Sequence, residues 1–142
     1  MSVKAAKKTA DDWFSKYIRL KAVKELREKT GGNNDYAQCV SCGKVDHWKE
    51  MDAGHWINRR HNIVRYDESN VHCQCQYCNR FCEGNASGYA LFMLSRYGSE
   101  IMDDLDELHH QPKQFKEIGL REIAKEYRLK TKSLALELGI SL

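Results

Sequence analysis

Two Cys-x-x-Cys pairs, Cys39-Val-Ser-Cys42 and Cys75-Gln-Tyr-Cys78, constrain this chain more than any other feature. Thiolates are soft ligands, and two such knuckles brought together offer four sulfurs to one tetrahedral zinc ion. A chain committed to that cluster must fold the two knuckles against each other, so the stretch between them becomes the organising segment. Cys73 and Cys82 lie close by. The Cys-x-x-Cys spacing selects Cys75 and Cys78 and leaves those two as ordinary semi-buried thiols, with His72 the alternative to one thiolate.

The 142 residues suit one small domain with helical arms. No apolar run approaches the ~18–20 residues of a membrane span, and the N-terminus has no apolar signal core. A cytosolic protein is the expectation, and there six cysteines read as metal ligands rather than disulfides. Charge is unevenly spread. Residues 1–30 carry nine Lys/Arg against four acids, residues 99–110 five acids and no Lys/Arg, and residues 113–132 seven bases against three acids. Attraction for a polyanion would have to come from the two basic arms and from arginines near the knuckles.

Taken in order, Thr9 and Asp12 have the spacing of a capping box, and Trp13, Phe14, Tyr17, Ile18 and Leu26 fall mostly on one helical face. A helix over about 10–29 is expected, stopped by Gly31-Gly32, with Lys16 and Arg19 on its basic flank. Residues 36–48 read as a zinc knuckle. Residues 51–66 hold enough for two short strands, the second at 63–66, and 67–70 supply helix-start chemistry. A short helix would then carry Cys75, Cys78 and Asn79. Further helices are expected at 89–97, 99–110 and about 113–130, the last able to continue through Leu134 and Leu138. The corresponding division is a basic arm (1–34), a zinc-bound core (35–86) and a helical region (87–142).

Asp52, His55 and Asn79 are the candidates for chemistry. A neutral imidazole can take a proton from water at physiological pH, and His55 lies between the knuckles near the end of an expected strand. Asn79 follows the last zinc ligand directly, so its backbone is fixed where an oxygen could serve a hard cation. Asp52 is either a second oxygen ligand or the group that orients His55. The plain alternatives are a packed imidazole and a turn-capping asparagine.

At this point a resemblance is evident. Trp13-Phe-Ser-Lys-Tyr-Ile-Arg19, Cys39-Val-Ser-Cys42-Gly43, Asp52-Ala-Gly-His55, Arg65-Tyr-Asp-Glu-Ser-Asn70-Val-His72, Gln74-Cys75-Gln-Tyr-Cys78-Asn79 and Gly84-Asn85 resemble the NinG/Rap family of lambdoid phage recombination proteins. That family implies endonucleases acting on Holliday junctions and other branched DNA. The core also resembles HNH (ββα-metal, His-Me finger) nucleases with a four-cysteine zinc site. The resemblance implies His55 as general base, Asn79 as metal ligand and Asn70 as the residue pinning the loop between the strands. Many HNH cores place an acid or a histidine immediately before the catalytic histidine, where this chain has Gly54.

The expectation is therefore an α+β, zinc-stabilised HNH core with flanking helices. Zn²⁺ would be held by Cys39, Cys42, Cys75 and Cys78, and Mg²⁺ or Mn²⁺ by Asp52 and Asn79. DNA would be contacted by Lys16, Arg19, Arg59, Arg60 and Arg65. Cutting both strands of a junction calls for two active sites, hence a homodimer in the host cytoplasm, with the apolar helices after residue 86 supplying its interface. The rival readings are a non-catalytic zinc DNA-binding module and a transcriptional regulator with a helix-turn-helix at 120–134.

Overall fold

A 28-residue helix, α1 (Val3–Thr30), is the spine of the protein in this computed structural model, which describes residues 2–142. It starts earlier than the capping box at Thr9 and Asp12 predicts. Ser2 is the N-cap, its hydroxyl accepting from the Ala5 amide at 3.1 Å. Thr9 instead turns its hydroxyl back onto the Ala5 carbonyl inside the helix. The extra turns persist because Ala6 and Ala10 are buried against Leu120. Gly31 ends the helix with φ +73°, a left-handed conformation that costs glycine no strain.

The C-terminal helix α4 (Glu117–Leu138) runs alongside α1 in the same direction. Leu120 meets Ala10, and the Tyr127 ring sits edge-on to Phe14 at 4.7 Å. Arg27 donates to the Leu138 carbonyl at 2.8 Å. α1 is thus no free arm, and α4 packs one apolar face on it while Ile118, Leu129 and Leu136 stay exposed on another. α4 is also unbroken across 120–134, so it contains no helix-turn-helix.

Two small antiparallel sheets complete the fold. β1 (Tyr36–Gln38) pairs with β2 (Val45–His47), with the first knuckle as the tip of the hairpin. β3 (Met51–His55) pairs with β4 (Val71–Cys75), Gly54 lying opposite His72 and His55 opposite Val71. The second strand predicted at 63–66 is not a strand. Residues Asn62–Val64 form one tight 3-10 turn, because Val64 is buried with Tyr89, Met93 and Leu105 rather than in the sheet. Nor do residues 67–70 begin a helix. Asp67 accepts from the Ser69 amide and closes a turn that delivers Asn70 to the start of β4.

β4 is buried along its whole length because both of its faces are covered. Val71 packs with Phe14 and Ile18, and Cys73 and Cys75 with Leu20 and Val23 of α1. His72 and Gln74 point the other way, towards the helix α2 (Ala86–Tyr97) and the first knuckle. α3 (Ser99–Leu108) then closes over Val64 through Leu105. Among the described residues no helix is long and apolar enough to cross a membrane.

Candidate metal centre and the cleft beside it

Four sulfurs converge where the β1–β2 tip meets the end of β4. The Sγ atoms of Cys39, Cys42, Cys75 and Cys78 all lie within 4.8 Å of one another. Cys42 and Cys75 are 3.6 Å apart, against an edge of about 3.8 Å for a tetrahedron built on Zn–S bonds of ~2.3 Å. Local backbone fixes the set. The Cys78 amide points at the Cys75 sulfur at 3.4 Å, and the Asn85 side chain donates to the Cys78 sulfur at 3.3 Å. Burial, together with the neighbouring thiols, pushes the Cys78 thiol up, as expected of a thiolate ligand lacking its cation. The donor set fits a structural zinc. Cys73 and Cys82 stand outside the cluster, and so does His72.

Next to this centre an open cleft of about 750 Å³ wraps the free edge of β3. It is lined by Asp52, His55 and Asn79, with Arg59 and Arg80 beside them and Asp11 of α1 on the far wall. Strand alternation places Ala53 and His55 towards α1, and Asp52 and Gly54 towards the knuckle side. His55 and Asp52 therefore enter the cleft from opposite faces of one edge strand. No hydrogen bond joins them, so Asp52 does not orient His55.

What orients His55 is the loop. Its Nε2 lies 2.9 Å from the Arg65 carbonyl, which can only accept, so the ring proton sits on Nε2. Nδ1 keeps its lone pair. Burial, reinforced by the charges of Arg65 and Arg59, lowers the imidazole to a pKa of about 4, and it is neutral at physiological pH.

Arg65 makes that carbonyl possible, and its role differs from the phosphate contact expected of it. The residue is 7% exposed. Its Nε donates to Asp11 Oδ1 at 2.9 Å and its Nη1 to the Arg59 carbonyl at 2.9 Å. Burial alone would raise the Asp11 pKa, but hydrogen bonds from Arg65 and Tyr66 outweigh it and hold the carboxyl low. Three of its five N–H groups are thus engaged and the side chain is 9% exposed, so it serves the loop rather than the surface. Arg19 is likewise taken, donating to Ser15 and to the Trp48 carbonyl and lying over the Trp48 ring. Lys16 sits over Trp13 at 4.6 Å. Arg59 and Arg60 are exposed, and Arg59 lines the cleft.

Asn70 is fully buried and pins the loop at both ends. Its Oδ1 accepts from the Ile57 amide at 2.8 Å, while its Nδ2 donates to the carbonyls of Ile57 and Val64. Every polar atom of its side chain is used, so it positions the loop and does not touch a substrate.

Asn79 and Asp52 come together on the knuckle side. Asn79 stands on a π-helical turn, Tyr77–Phe81, rather than on a regular helix, and its Nδ2 donates to Asp52 Oδ2 at 3.0 Å. Arg80 from the same turn binds both oxygens of Asp52. A hard cation would find one carboxylate and, after rotation of the Asn79 amide, one amide oxygen. It would have to displace Arg80 to reach them.

Sequence reading missed two features. The first is the reason for Gly54. A Cβ there would stand 1.8 Å from Gln74 Oε1, and Gln74 is held in place by donating to Ser41 Oγ and the Gly84 carbonyl. No larger residue fits before His55. The second is a polar chain behind the site. Tyr89 Oη donates to the Gly54 carbonyl at 2.7 Å, so it accepts from His72 Nδ1, and His72 Nε2 in turn accepts from Tyr97 Oη. Burial, with help from Arg96 and Lys21, lowers His72 to about 3. The Asp52-Ala-Gly-His motif gave no hint of either, because both depend on β4 and α2.

Together these features define an α+β protein with a four-cysteine cluster able to hold a metal ion, backing an Asp–His–Asn cleft. A family model described as Bacteriophage Lambda NinG protein matches residues 2–137, and the chain belongs to that family. It is 33% identical over 97 residues to the NinG proteins of Escherichia phage 933W and Escherichia phage lambda, and 32% identical over 97 residues to that of Salmonella phage P22. Each alignment covers 68% of this chain and 47% of the relative, so the chain spans about half the length of these relatives. No solved structure gives a significant match.

Proposed function

We propose that this chain is a metal-dependent endonuclease with an HNH-type core, hydrolysing phosphodiester bonds of branched DNA in the cytoplasm of a phage-infected cell. The observation that carries the reading is His55. One ring nitrogen is tied to a backbone carbonyl, and the other is unprotonated in a neutral ring lining an open cleft. The order of elements supports it: a strand ending in the histidine, a loop pinned by Asn70, a second strand, and a helical turn carrying Asn79.

In this reading His55 Nδ1 accepts a proton from a water, which attacks the scissile phosphorus. The Arg65 carbonyl keeps the accepting nitrogen on the cleft side and stabilises the imidazolium that results. Arg59, exposed at the rim, holds a neighbouring phosphate. Mg²⁺ or Mn²⁺, held by Asp52 and Asn79, would supply positive charge at the phosphoryl and leaving oxygens. Cutting two opposed strands of a junction requires two copies. The exposed Leu91 and Leu94 on α2 are the face proposed for dimerisation.

A second reading, a non-catalytic zinc DNA-binding module, is favoured by Arg80, whose guanidinium occupies the carboxylate that a catalytic ion would need. Junction, fork and linear DNA incubated with the zinc-loaded protein, with and without Mg²⁺, separate the two. The nuclease reading expects Mg²⁺-dependent cutting of branched substrates that falls ~10²–10⁴-fold in His55→Ala, with zinc content and DNA binding retained. Binding without cutting, or undiminished cutting by His55→Ala, would establish the second reading or remove His55 from the mechanism. Light scattering of the protein alone and on a junction tests the dimer.

A further inference from the structure

We propose that Asp106, His109, His110 and His61 form a second metal site, specific for a borderline transition ion such as Ni²⁺, Co²⁺ or Zn²⁺ and separate from both the thiolate centre and the cleft. Asp106, His109 and His110 stand at i, i+3 and i+4 where α3 ends, which places them on one side of its last turn. One ligand atom from each lies within 4.8 Å of the others. The Asp106 Oδ1–His109 Nδ1 distance is 3.8 Å. That is too long for a hydrogen bond, but shorter than the sum of two metal–ligand bonds of ~2.0–2.2 Å each.

A second observation points to a missing partner. His109 Nδ1 is buried and has no hydrogen bond. Buried polar nitrogens are rarely left unsatisfied, and an ion is one of the few groups that would satisfy this one together with Asp106.

The fourth candidate arrives from elsewhere in the sequence. Ile63 and Val64 pack with Leu105 and Leu108, which draws the preceding His61 against α3. The His61 ring stands edge-on to His109 at 4.8 Å, and the His110 ring is 4.0 Å from His109. Arg60 Nε donates to His61 Nε2 at 3.3 Å, so the neutral ring carries its proton on Nδ1, and His61 joins the other three by exchanging Arg60 for the ion at Nε2. Three imidazoles and one carboxylate suit nickel, cobalt, copper or zinc, whereas Mg²⁺ prefers oxygen ligands. The carbonyl end of α3 and its five acids over 99–110 add negative potential. An ion here would tie α3 to the loop that displays Arg59 and Arg60 and whose Arg65 carbonyl holds His55.

The test uses the untagged 142-residue chain with its thiolate site already filled with zinc. Equilibrium dialysis against Ni²⁺ is expected to show one Ni²⁺ bound per chain beyond the zinc. Affinity should fall at least tenfold in the double variant His109→Gln/His110→Ala, fall in His61→Ala, and be unchanged in Asp52→Asn. Zinc content and circular dichroism confirm folding of each variant, and His110→Ala alone, at an exposed position, serves where the double variant does not fold. No Ni²⁺ uptake by the zinc-loaded protein, uptake unchanged in the histidine variants, or uptake lost in Asp52→Asn would each overturn the proposal.

Discussion

Arg80 closes on Asp52 with both arms of its guanidinium, Nε to Oδ2 and Nη2 to Oδ1, each at 2.9 Å. The pairing raises the Arg80 pKa and occupies the one carboxylate that Asn79 also touches. Arg80 is more than half exposed, so the ion pair is a weak, solvent-screened latch rather than a fixed strut. Arg80→Gln should therefore free Asp52 for a cation. Titrated with Mn²⁺ in the absence of DNA, this variant is expected to bind up to about fivefold more tightly than the parent protein. Equal or weaker binding would mean that Asp52 is not a metal ligand.

The thiolate centre joins the β1–β2 hairpin to the end of β4, beside the Val40–Cys73 backbone hydrogen bond and the packing of Ala37 on α1. Structural zinc sites contribute on the order of 10 kcal/mol to small domains. Cys75→Ser, or complete zinc removal by a strong chelator, should unfold the β3–β4 region and the knuckles, while α1 and α4 retain part of their helicity through their mutual packing. An unchanged melting temperature after verified metal removal would dismiss a structural role for zinc.

How much of this could be read from the chain is uneven, for physical reasons. The four cysteines were legible because their spacing is local and their chemistry is narrow. The helices were legible from periodicity and glycine stops, though Ser2 and not the Thr9 box caps the first. The second strand was misplaced because Ile63-Val-Arg-Tyr66 has strand composition but spends it elsewhere, Val64 in a helix-covered cluster and Arg65 on Asp11. The same long-range pairing misled the reading of Arg65. A surface arginine and a buried one are identical in sequence until the carboxylate 54 positions away is known. Gly54 posed the converse difficulty. It departed from the expected motif, and only the Gln74 side chain lying across it supplies the reason.

Two desolvated histidines, one buried and one half-buried, make stability fall in acid. His55 and His72 have folded pKa values of about 4 and about 3, both below the ordinary 6.5. Below pH 6.5 the unfolded chain binds protons that the folded chain refuses, so stability rises with pH in that range and is lost as pH falls from 6.5 towards 4. Each group contributes a slope of up to about 1.4 kcal/mol per pH unit. Urea midpoints of the parent protein and of His72→Gln, both zinc-loaded, should converge as pH drops from 7 to 5, because the variant lacks one of the two titrating groups. A difference between them that stays constant with pH would place the His72 pKa near its ordinary value.

Arg59 and Arg65 are the sharpest contrast between a rim charge and a structural one. Arg59 is exposed at the cleft, whereas Arg65 is held by Asp11 and by the Arg59 carbonyl while its own carbonyl fixes His55. Removing Arg65 leaves Asp11 half-buried without its main partner and loosens the loop. Breaking buried pairs costs about 3–5 kcal/mol, and the partial exposure of Asp11 places this one at or below the lower end. Arg65→Met should therefore lower the melting temperature, and where the protein remains folded it should lose cutting rate more than DNA affinity. Arg65→Lys should not restore either property, since a lysine cannot hold Asp11 and the Arg59 carbonyl together. Arg59→Ala should do the opposite. Its stability should stay within about 0.5 kcal/mol of the parent, while DNA affinity falls at low salt and the salt dependence of binding shallows by about one phosphate contact. Melting curves and salt-dependent binding of both variants to the same junction decide it. A thermally unaffected Arg65→Met that has lost DNA affinity would return Arg65 to the DNA-contacting set.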